Sequence, residues 1–494
     1  MSTIRKQSII GSIIAVIGVV VGFLNSGWLQ PKILEVEQIG VLRYILSLSA
    51  LVSVFSGMGV GAILLRYIPL AHKNGYHKQL SAIFAIILFV GQLLGLLGLV
   101  IYLNYWQEKL NSQWFMHVYL LYSVGFVFSS LSSFLSAKSL VSHNLFVREI
   151  CIKLGFVLSL VAVYLFSFSF EMFLTFVEIS YVLSIVLVLF FLIKFKKTVM
   201  PSFNFSSSKI PLKAIGGLAL FSVLSGSVGV FTKEIDILMV TRLIDFEATG
   251  IYSIMLFFGV LVSIPSRGLQ GISSVKIGEA WADDNVPFLN DLYKKTAQNQ
   301  LIVAGFVFVM LMGNLFTVFD ILPKGDVFSK GLWVVFWLGL AQLVDMASGV
   351  SGELLYYSKH YKYGFYFSTL LLVSLVGFNF LFIPIYGISG AAFATFLSQV
   401  LNNFARWFFL RKFYNLQPFN NQYLRLLLFT VFMISFALLV REYLVGVNFI
   451  VAGIIMSVPI VVLYFILVRR TNLAPDLKER IKVYEQKLGL FKVK

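Results

Sequence analysis

The chain has 494 residues, of which 59% are hydrophobic and only 12% charged, with a mean hydropathy of +0.89. A soluble domain carries about 25% charged residues, so this composition excludes a water-soluble globular protein and predicts a polymer dissolved mostly in lipid. The formal charge of +17, from 39 Lys and Arg against 22 Asp and Glu, invites a nucleic-acid reading that its distribution argues against.

A membrane span needs about 20 apolar residues. In chain order, the hydrophobic runs predict about fourteen spans, at 8–29, 40–64, 81–103, 116–137, 150–168, 172–193, 214–237, 249–273, 298–319, 330–352, 363–383, 388–410, 423–441 and 447–468. The first is too long for a signal peptide and no small-x-small cleavage site follows it. Six spans precede the one substantial polar linker, KFKKTVMPSFNFSSSKIPLK at 194–213, which is basic, Ser-rich and holds two prolines. The fold class expected is therefore all-α integral membrane. A six-helix lobe (1–193), a basic cytoplasmic connector (194–213) and a second six-helix lobe (214–412) are followed by spans thirteen and fourteen (413–468) and a tail (469–494). In that tail Leu477, Ile481, Tyr484, Leu488 and Phe491 recur at spacings of three and four among lysines and an arginine, the pattern of a basic amphipathic helix on an anionic leaflet.

With an even number of spans and a cytoplasmic N-terminus, the cytoplasmic segments hold about 30 of the 39 Lys and Arg. The outer loops keep Lys32, Arg43, Lys109, Arg242, Lys324, Lys330 and Arg441. That asymmetry predicts a multi-pass protein with both termini in the cytoplasm, and makes the basic charge a topology signal. Cys151 is the only cysteine, which excludes an intramolecular disulfide and a CxxC site.

A thirty-residue stretch occurs twice. EQIGVLRYILSLSALVSVFSGMGVGAILLR (37–66) and EATGIYSIMLFFGVLVSIPSRGLQGISSVK (247–276) lie 210 residues apart. Glu37, Gly40, Leu46, Leu51, Val52, Ser53, Ser56 and Gly61 meet identical residues at Glu247, Gly250, Leu256, Leu261, Val262, Ser263, Ser266 and Gly271. Since six is even, the two halves are expected to be parallel repeats about the membrane normal, the trace of an alternating-access transporter.

An ionisable side chain within a span costs about 3 kcal/mol even on a lenient scale, so each one is a candidate for function. Span seven carries Lys233, Glu234 and Asp236; Lys233 and Asp236 are three apart on one face and can pair, while Glu234 points away and must find another partner or water. Span eight carries Arg267 on a face shared with Ser263, Gln270 and Ser274, beside a proline at 265 that frees a carbonyl. Span ten adds Gln342 and Asp345 on one face, with Glu353 near its end, and Glu178 lies in span six. His117 is expected as an interfacial ring, and the Gly57/Gly61 and Gly91/Gly95 spacings as close helix packing. No Walker A loop, no His/Asp/Glu cluster at metal spacing and no extramembrane segment longer than about 30 residues is present, which leaves no visible constellation for an enzyme.

EQIGVLRYILSLSALVSVFSGMGVGAILLRYIP (37–69) resembles the early-span signature of the polysaccharide biosynthesis flippases, with a glycine opening the span and a Gly-x-Gly-x-Gly turn before a terminal arginine. IPIYGISGAAFATFLSQVLNN (383–403) resembles their late signature, a Gly-x-x-Gly-Ala-Ala segment opening span twelve. These are O-antigen-type translocases, the oligosaccharide-lipid branch of the multidrug/oligosaccharidyl-lipid/polysaccharide exporter superfamily.

The resemblance implies an undecaprenyl-diphosphate-linked oligosaccharide moved from the inner to the outer leaflet of a bacterial cytoplasmic (inner) membrane for surface polysaccharide export. It further implies a cationic cavity, to which Arg267 matches best, with Lys233 facing it and Ser263 and Gln270 alongside. Relatives carry additional arginines in span one; this chain has none between Lys6 and Lys32, so Arg43 and Arg66 are the first-lobe substitutes. Partners implied are the lipid-linked glycan, membrane lipids and other polysaccharide-assembly proteins, not nucleic acid. No cofactor is expected. Moving a dianion outward is downhill by about 4.6 kcal/mol per 100 mV, and Glu234, Asp236 or Asp345 are candidates for coupling to H+ or Na+. The rival reading is a cation-coupled multidrug antiporter of the same superfamily, which would want acids rather than cations in its cavity. A membrane-embedded glycan-modifying enzyme or an assembly scaffold would need a catalytic pair or a large partner-binding domain, neither of which the sequence contains.

Overall fold

The structure is a computed structural model, and it describes residues 10, 11, 14, 17–74, 77–105, 112–138, 140–195, 212–264, 266–444 and 446–470. For 69–74 and 266–272, among a few others, the description is of the backbone alone. Among the described residues all regular structure is helical. This is one of the two backbone solutions that satisfy every N–H and C=O without water.

Residues 17–33 form α1, which winds as a π-helix over Phe23–Leu29. The helix α2 (Val36–Ser56) opens on a capping box, in which Gln38 returns its side chain to the Glu35 N–H at 2.9 Å. It ends where Met58 and Gly59 take positive φ, so the expected single span 40–64 is broken and α3 (Val60–Asn74) starts afresh. Then follow α4 (His77–Tyr105), α5 (Ser112–Ala137), α6 (Val141–Phe166, π-wound over Val147–Cys151), α7 (Phe170–Lys194), α8 (Leu212–Leu243) and α9 (Phe246–Val260). A 3-10 turn at Leu261–Ser263 separates α9 from α10 (Ser266–Ala282), again dividing an expected span.

Next come α11 (Val286–Gly313), the short α12 (Leu315–Ile321) and α13 (Gly325–Ser329), α14 (Leu332–Ala347) and α15 (Ser351–Tyr356). The chain continues with α16 (Tyr363–Tyr386), α17 (Ile388–Tyr414), α18 (Asn421–Tyr443) and α19 (Phe449–Arg470). Eleven helices among the described residues are long and apolar enough to cross a membrane. The expected span 330–352 is instead the shorter α14 followed by α15, and α17 is long but too polar to be among the eleven. Most of the connector (196–211) and the tail beyond Arg470 lie outside the described residues.

The chain divides into two compact units, Met1–Ser253 and Ile254–Lys494, the division falling inside α9. In the first, α2 packs on α4, α5 and α8, and α5 and α6 both pack on α7. In the second, α11 packs on α14, α18 and α19, while α17 packs on α14 and α16. A core of Ile277, Leu289, Tyr293, Val350, Leu354 and Leu410 lies there, and Trp281 donates its indole N–H to the Leu354 carbonyl at 3.0 Å. Large apolar side chains such as Phe89, Leu158, Leu165, Ile193 and Leu220 stand exposed. Such a surface suits hydrocarbon, and the chain is a multi-pass membrane protein.

Candidate functional site: a cationic, hydroxyl-lined cavity

The first unit carries an open cavity of about 670 Å³. One wall is the face of α2 carrying Ser49 and Ser53, continued by the break at Gly57–Gly61. A second is α5 with Ser129, Ser132 and Ser133, and α8 adds Ser222, Val223 and Val230. The remaining wall is α6, which presents Arg148, Glu149, Ile152 and Lys153, with Tyr181 of α7 beside them.

Arg148 and Glu149 sit in the π-wound turn of α6, and Lys153 lies just beyond it. A π turn accommodates an extra residue per turn, and such turns concentrate at functional sites. Lys153 donates to Glu149 Oε2 at 2.9 Å and to the Gly18 carbonyl of α1 at 2.8 Å. Arg148 makes no hydrogen bond or ion pair among the described residues. The three charges sum to one positive charge facing the cavity, in the middle of a membrane-length helix.

The serines are wired to the backbone. Ser53 donates to the Ser49 carbonyl at 2.7 Å, Ser133 to the Ser129 carbonyl at 3.0 Å and Ser49 to the Val118 carbonyl at 3.3 Å. Ser132 bonds to the Asn144 amide, whose Nδ2 donates to Ser136 Oγ at 2.7 Å. With their protons committed, these hydroxyls offer lone pairs, suited to accept from a polyol. A cavity that pairs cations with fixed acceptors is chemically matched to a phosphorylated, hydroxyl-rich solute.

Among the described residues, none of those expected from sequence for the site lines this cavity. Glu234 of α8 finds a partner in α2, accepting from Ser47 Oγ at 2.7 Å. Asp236 is buried and accepts from Tyr252 Oη at 2.8 Å. Lys233, on the same helix, is exposed. Arg43 is half-buried, and its Nε meets no partner among the described residues. Arg66 is exposed and lies 5.8 Å from the ring of its neighbour Tyr67. Ser263 is in the 3-10 turn, donating to the Val260 carbonyl at 2.9 Å. The side chains of Arg267 and Gln270 lie outside the described residues, although both positions fall within α10. His117, expected as an interfacial ring, is paired: its Nδ1 meets Glu178 Oε1 at 2.7 Å between α5 and α7.

Asp345 belongs to the second unit and lines a separate polar cavity of about 350 Å³ with Glu353, Ser274, Tyr356, Tyr357 and Arg406. Arg406 approaches Asp345 Oδ1 at 3.4 Å, and Asn403 donates to the same oxygen at 3.2 Å.

Sequence reasoning missed Arg148, Glu149 and Lys153 because it began the fifth span at 150, leaving the first two as loop charges. The helix in fact starts at Val141. The signal available was a cation, an acid and a second cation within six residues of VREICIK, flanked on both sides by apolar sequence.

The fold is that of membrane transporters. A lipid II flippase, MurJ, in an inward closed conformation superposes with a TM-score of 0.67 at 15% identity, covering 94% of this chain and 99% of the flippase. A multidrug resistance MATE-family transporter of the MOP superfamily, inward-facing, gives 0.63 at 14% identity over 83% of this chain and 98% of its own. A MOP superfamily transporter from Pyrococcus furiosus, described as having a binding pocket of reversed polarity, gives 0.55 at 14% over 83% and 96%. No protein-family model matches the chain, and no curated protein is similar to it in sequence.

Proposed function

We propose that this chain is a flippase that carries an undecaprenyl-diphosphate-linked oligosaccharide from the inner to the outer leaflet of a bacterial cytoplasmic membrane by alternating access, serving surface polysaccharide or O-antigen export. The observation that carries the reading is the first unit's cavity, where Arg148 and Lys153 face a wall of serines. A diphosphate brings about two negative charges, and charge-assisted hydrogen bonds to a guanidinium and an ammonium offset its dehydration. The serine acceptors suit sugar hydroxyls. Arg267 remains proposed as a further cation for the same cargo, with Ser263, Gln270 and Lys233 as weaker contributors. Arg43 and Arg66 contribute little on this reading, since neither lines the cavity.

Coupling to H+ or Na+ is proposed at Asp345. It faces a polar cavity beside a second acid, Glu353, whereas Glu234 and Asp236 are engaged by Ser47 and Tyr252 in helix contacts. That same acidic cavity favours the second reading, a cation-coupled multidrug antiporter, which the MATE-like fold also suits.

Complementation in a strain deleted for the gene separates the two. On the flippase reading, wild type restores surface polysaccharide, while Arg148→Ala and Arg267→Ala insert normally and do not. Drug resistance conferred by the wild type without restored polysaccharide would establish the antiporter reading instead.

A further inference from the structure

We infer that Glu149 is a resident counter-anion of the cavity, which the cargo's phosphate displaces from Lys153 on binding and which returns to expel it. The inference rests on the cavity being an anion site and concerns how that site releases what it binds.

Lys153 has three ammonium protons, and two are committed, to Glu149 Oε2 at 2.9 Å and to the Gly18 carbonyl at 2.8 Å. The third is left for the cavity. Arg148, one residue before Glu149, has no protein partner among the described residues. A diphosphate entering the cavity therefore meets one free cation and one already neutralised. To use both it must take the place of the Glu149 carboxylate.

The geometry makes this exchange possible. The Lys153 and Glu149 side chains are 31% and 29% exposed, so the carboxylate can turn into the cavity and be rehydrated rather than be stranded in lipid. A pair this open is weakly held, and a phosphate with more acceptor oxygens can displace it.

Glu149 is also positioned from behind. A Cβ on Gly18 of α1 would lie 3.0 Å from Glu149 Cβ and 3.2 Å from its Oε2, so the bare glycine lets α1 pack closely against the acid. The same α1 residue supplies the carbonyl that fixes Lys153. The lysine is thus held in place by the backbone of α1 while its anionic partner changes. A transporter needs this property, since a cavity with two unopposed cations would hold a diphosphate too tightly to let it go.

The test uses the full-length protein in lipid nanodiscs, with farnesyl diphosphate as a short polyprenyl diphosphate probe and inorganic pyrophosphate for the headgroup alone. Removing the competing charge in Glu149→Gln should tighten binding of both probes about fivefold to tenfold and slow flipping of a polyprenyl-diphosphate glycan in proteoliposomes. Glu149→Ser, which also removes the charge, should do the same, and covers the case of a glutamine variant that does not fold. Wild-type binding that is abolished by Arg148→Ala but unchanged in both Glu149 variants would overturn the counter-anion role and leave the anion site standing. No binding of either probe to wild type or variants would overturn the anion site itself, and the exchange with it.

Discussion

Gly40 and Gly250 press against each other's helices reciprocally. A Cβ on Gly40 would lie 1.8 Å from the carbonyl oxygen of Phe246, and one on Gly250 would lie 2.0 Å from that of Val36. Gly250 follows Gly40 by 210 residues and Phe246 follows Val36 by the same 210, so each copy of the repeat uses the same residue to meet the same position of the other. That reciprocity is the mark of a two-fold contact, here within one chain. The contact is reinforced by Tyr44, edge-on to Phe246 at 5.6 Å, whose hydroxyl meets that of Tyr102 at 2.7 Å.

Either glycine to alanine should therefore separate α2 from α9. Backbone cannot yield as a side chain can, and overpacking of this kind costs about 2 kcal/mol. The double variant Gly40→Ala/Gly250→Ala should cost less than the sum of the two, because the first displacement opens room for the second methyl. Thermal unfolding in detergent measures both; strictly additive losses would show that the two contacts are independent.

Tyr252→Phe leaves the buried Asp236 without its phenolic donor, and Ser47→Ala does the same to Glu234. Each should destabilise by about 1 to 2 kcal/mol, the cost of a lost hydrogen bond to a charged group. Glu234→Gln and Asp236→Asn should leave the dependence of transport on ion gradients unaltered, since both acids serve helix contacts. A changed gradient response in either variant would return it to the coupling site.

Asp345→Asn should act in the opposite sense. Its cavity holds Glu353 and Arg406 as well, and among the described residues its carboxylate meets the Asn403 amide and, at 3.4 Å, Arg406. Transport by the variant should become insensitive to imposed proton or sodium gradients, with an apparent melting temperature close to wild type. Retained gradient sensitivity would exclude Asp345 as the coupling group.

The His117–Glu178 pair is a structural element between α5 and α7, with side chains 14% and 10% exposed. His117→Ala should cost about 3 kcal/mol by leaving the acid buried and unmatched, whereas His117→Leu/Glu178→Leu should recover most of the loss. Thermal unfolding decides it: a double variant no more stable than the single would mean that the pair is irreplaceable in its site.

Much of this architecture is legible in the sequence, for reasons that differ by feature. The apolar spans are visible because hydrocarbon tolerates little else. The identity of Gly40 with Gly250 is visible as a repeat, but its cause, two backbones meeting, exists only in three dimensions. The Gly91/Gly95 spacing is likewise legible as close packing, and Gly91 does sit against the Ser56 carbonyl and Gly95 against Tyr122. The cavity was hidden for a local reason. Arg148, Glu149 and Lys153 look like the edge of a span when helix length is counted from Ile150, and the π turn at Val147–Cys151 leaves no period in the hydrophobic pattern. The spacing of Lys233 and Asp236 is legible as one that allows a pair, whereas the bond from Tyr252 to Asp236 leaves no sign in the sequence.

The central claim is that Arg148 and Lys153 hold an anionic, lipid-linked cargo. The most direct measurement is flipping of a fluorescent polyprenyl-diphosphate glycan by the purified protein in liposomes, compared among wild type, Arg148→Ala and Arg148→Lys. The account predicts loss of at least about tenfold with alanine, from removal of a charge-assisted contact, and substantial recovery with lysine. Equal rates in all three proteins would contradict it.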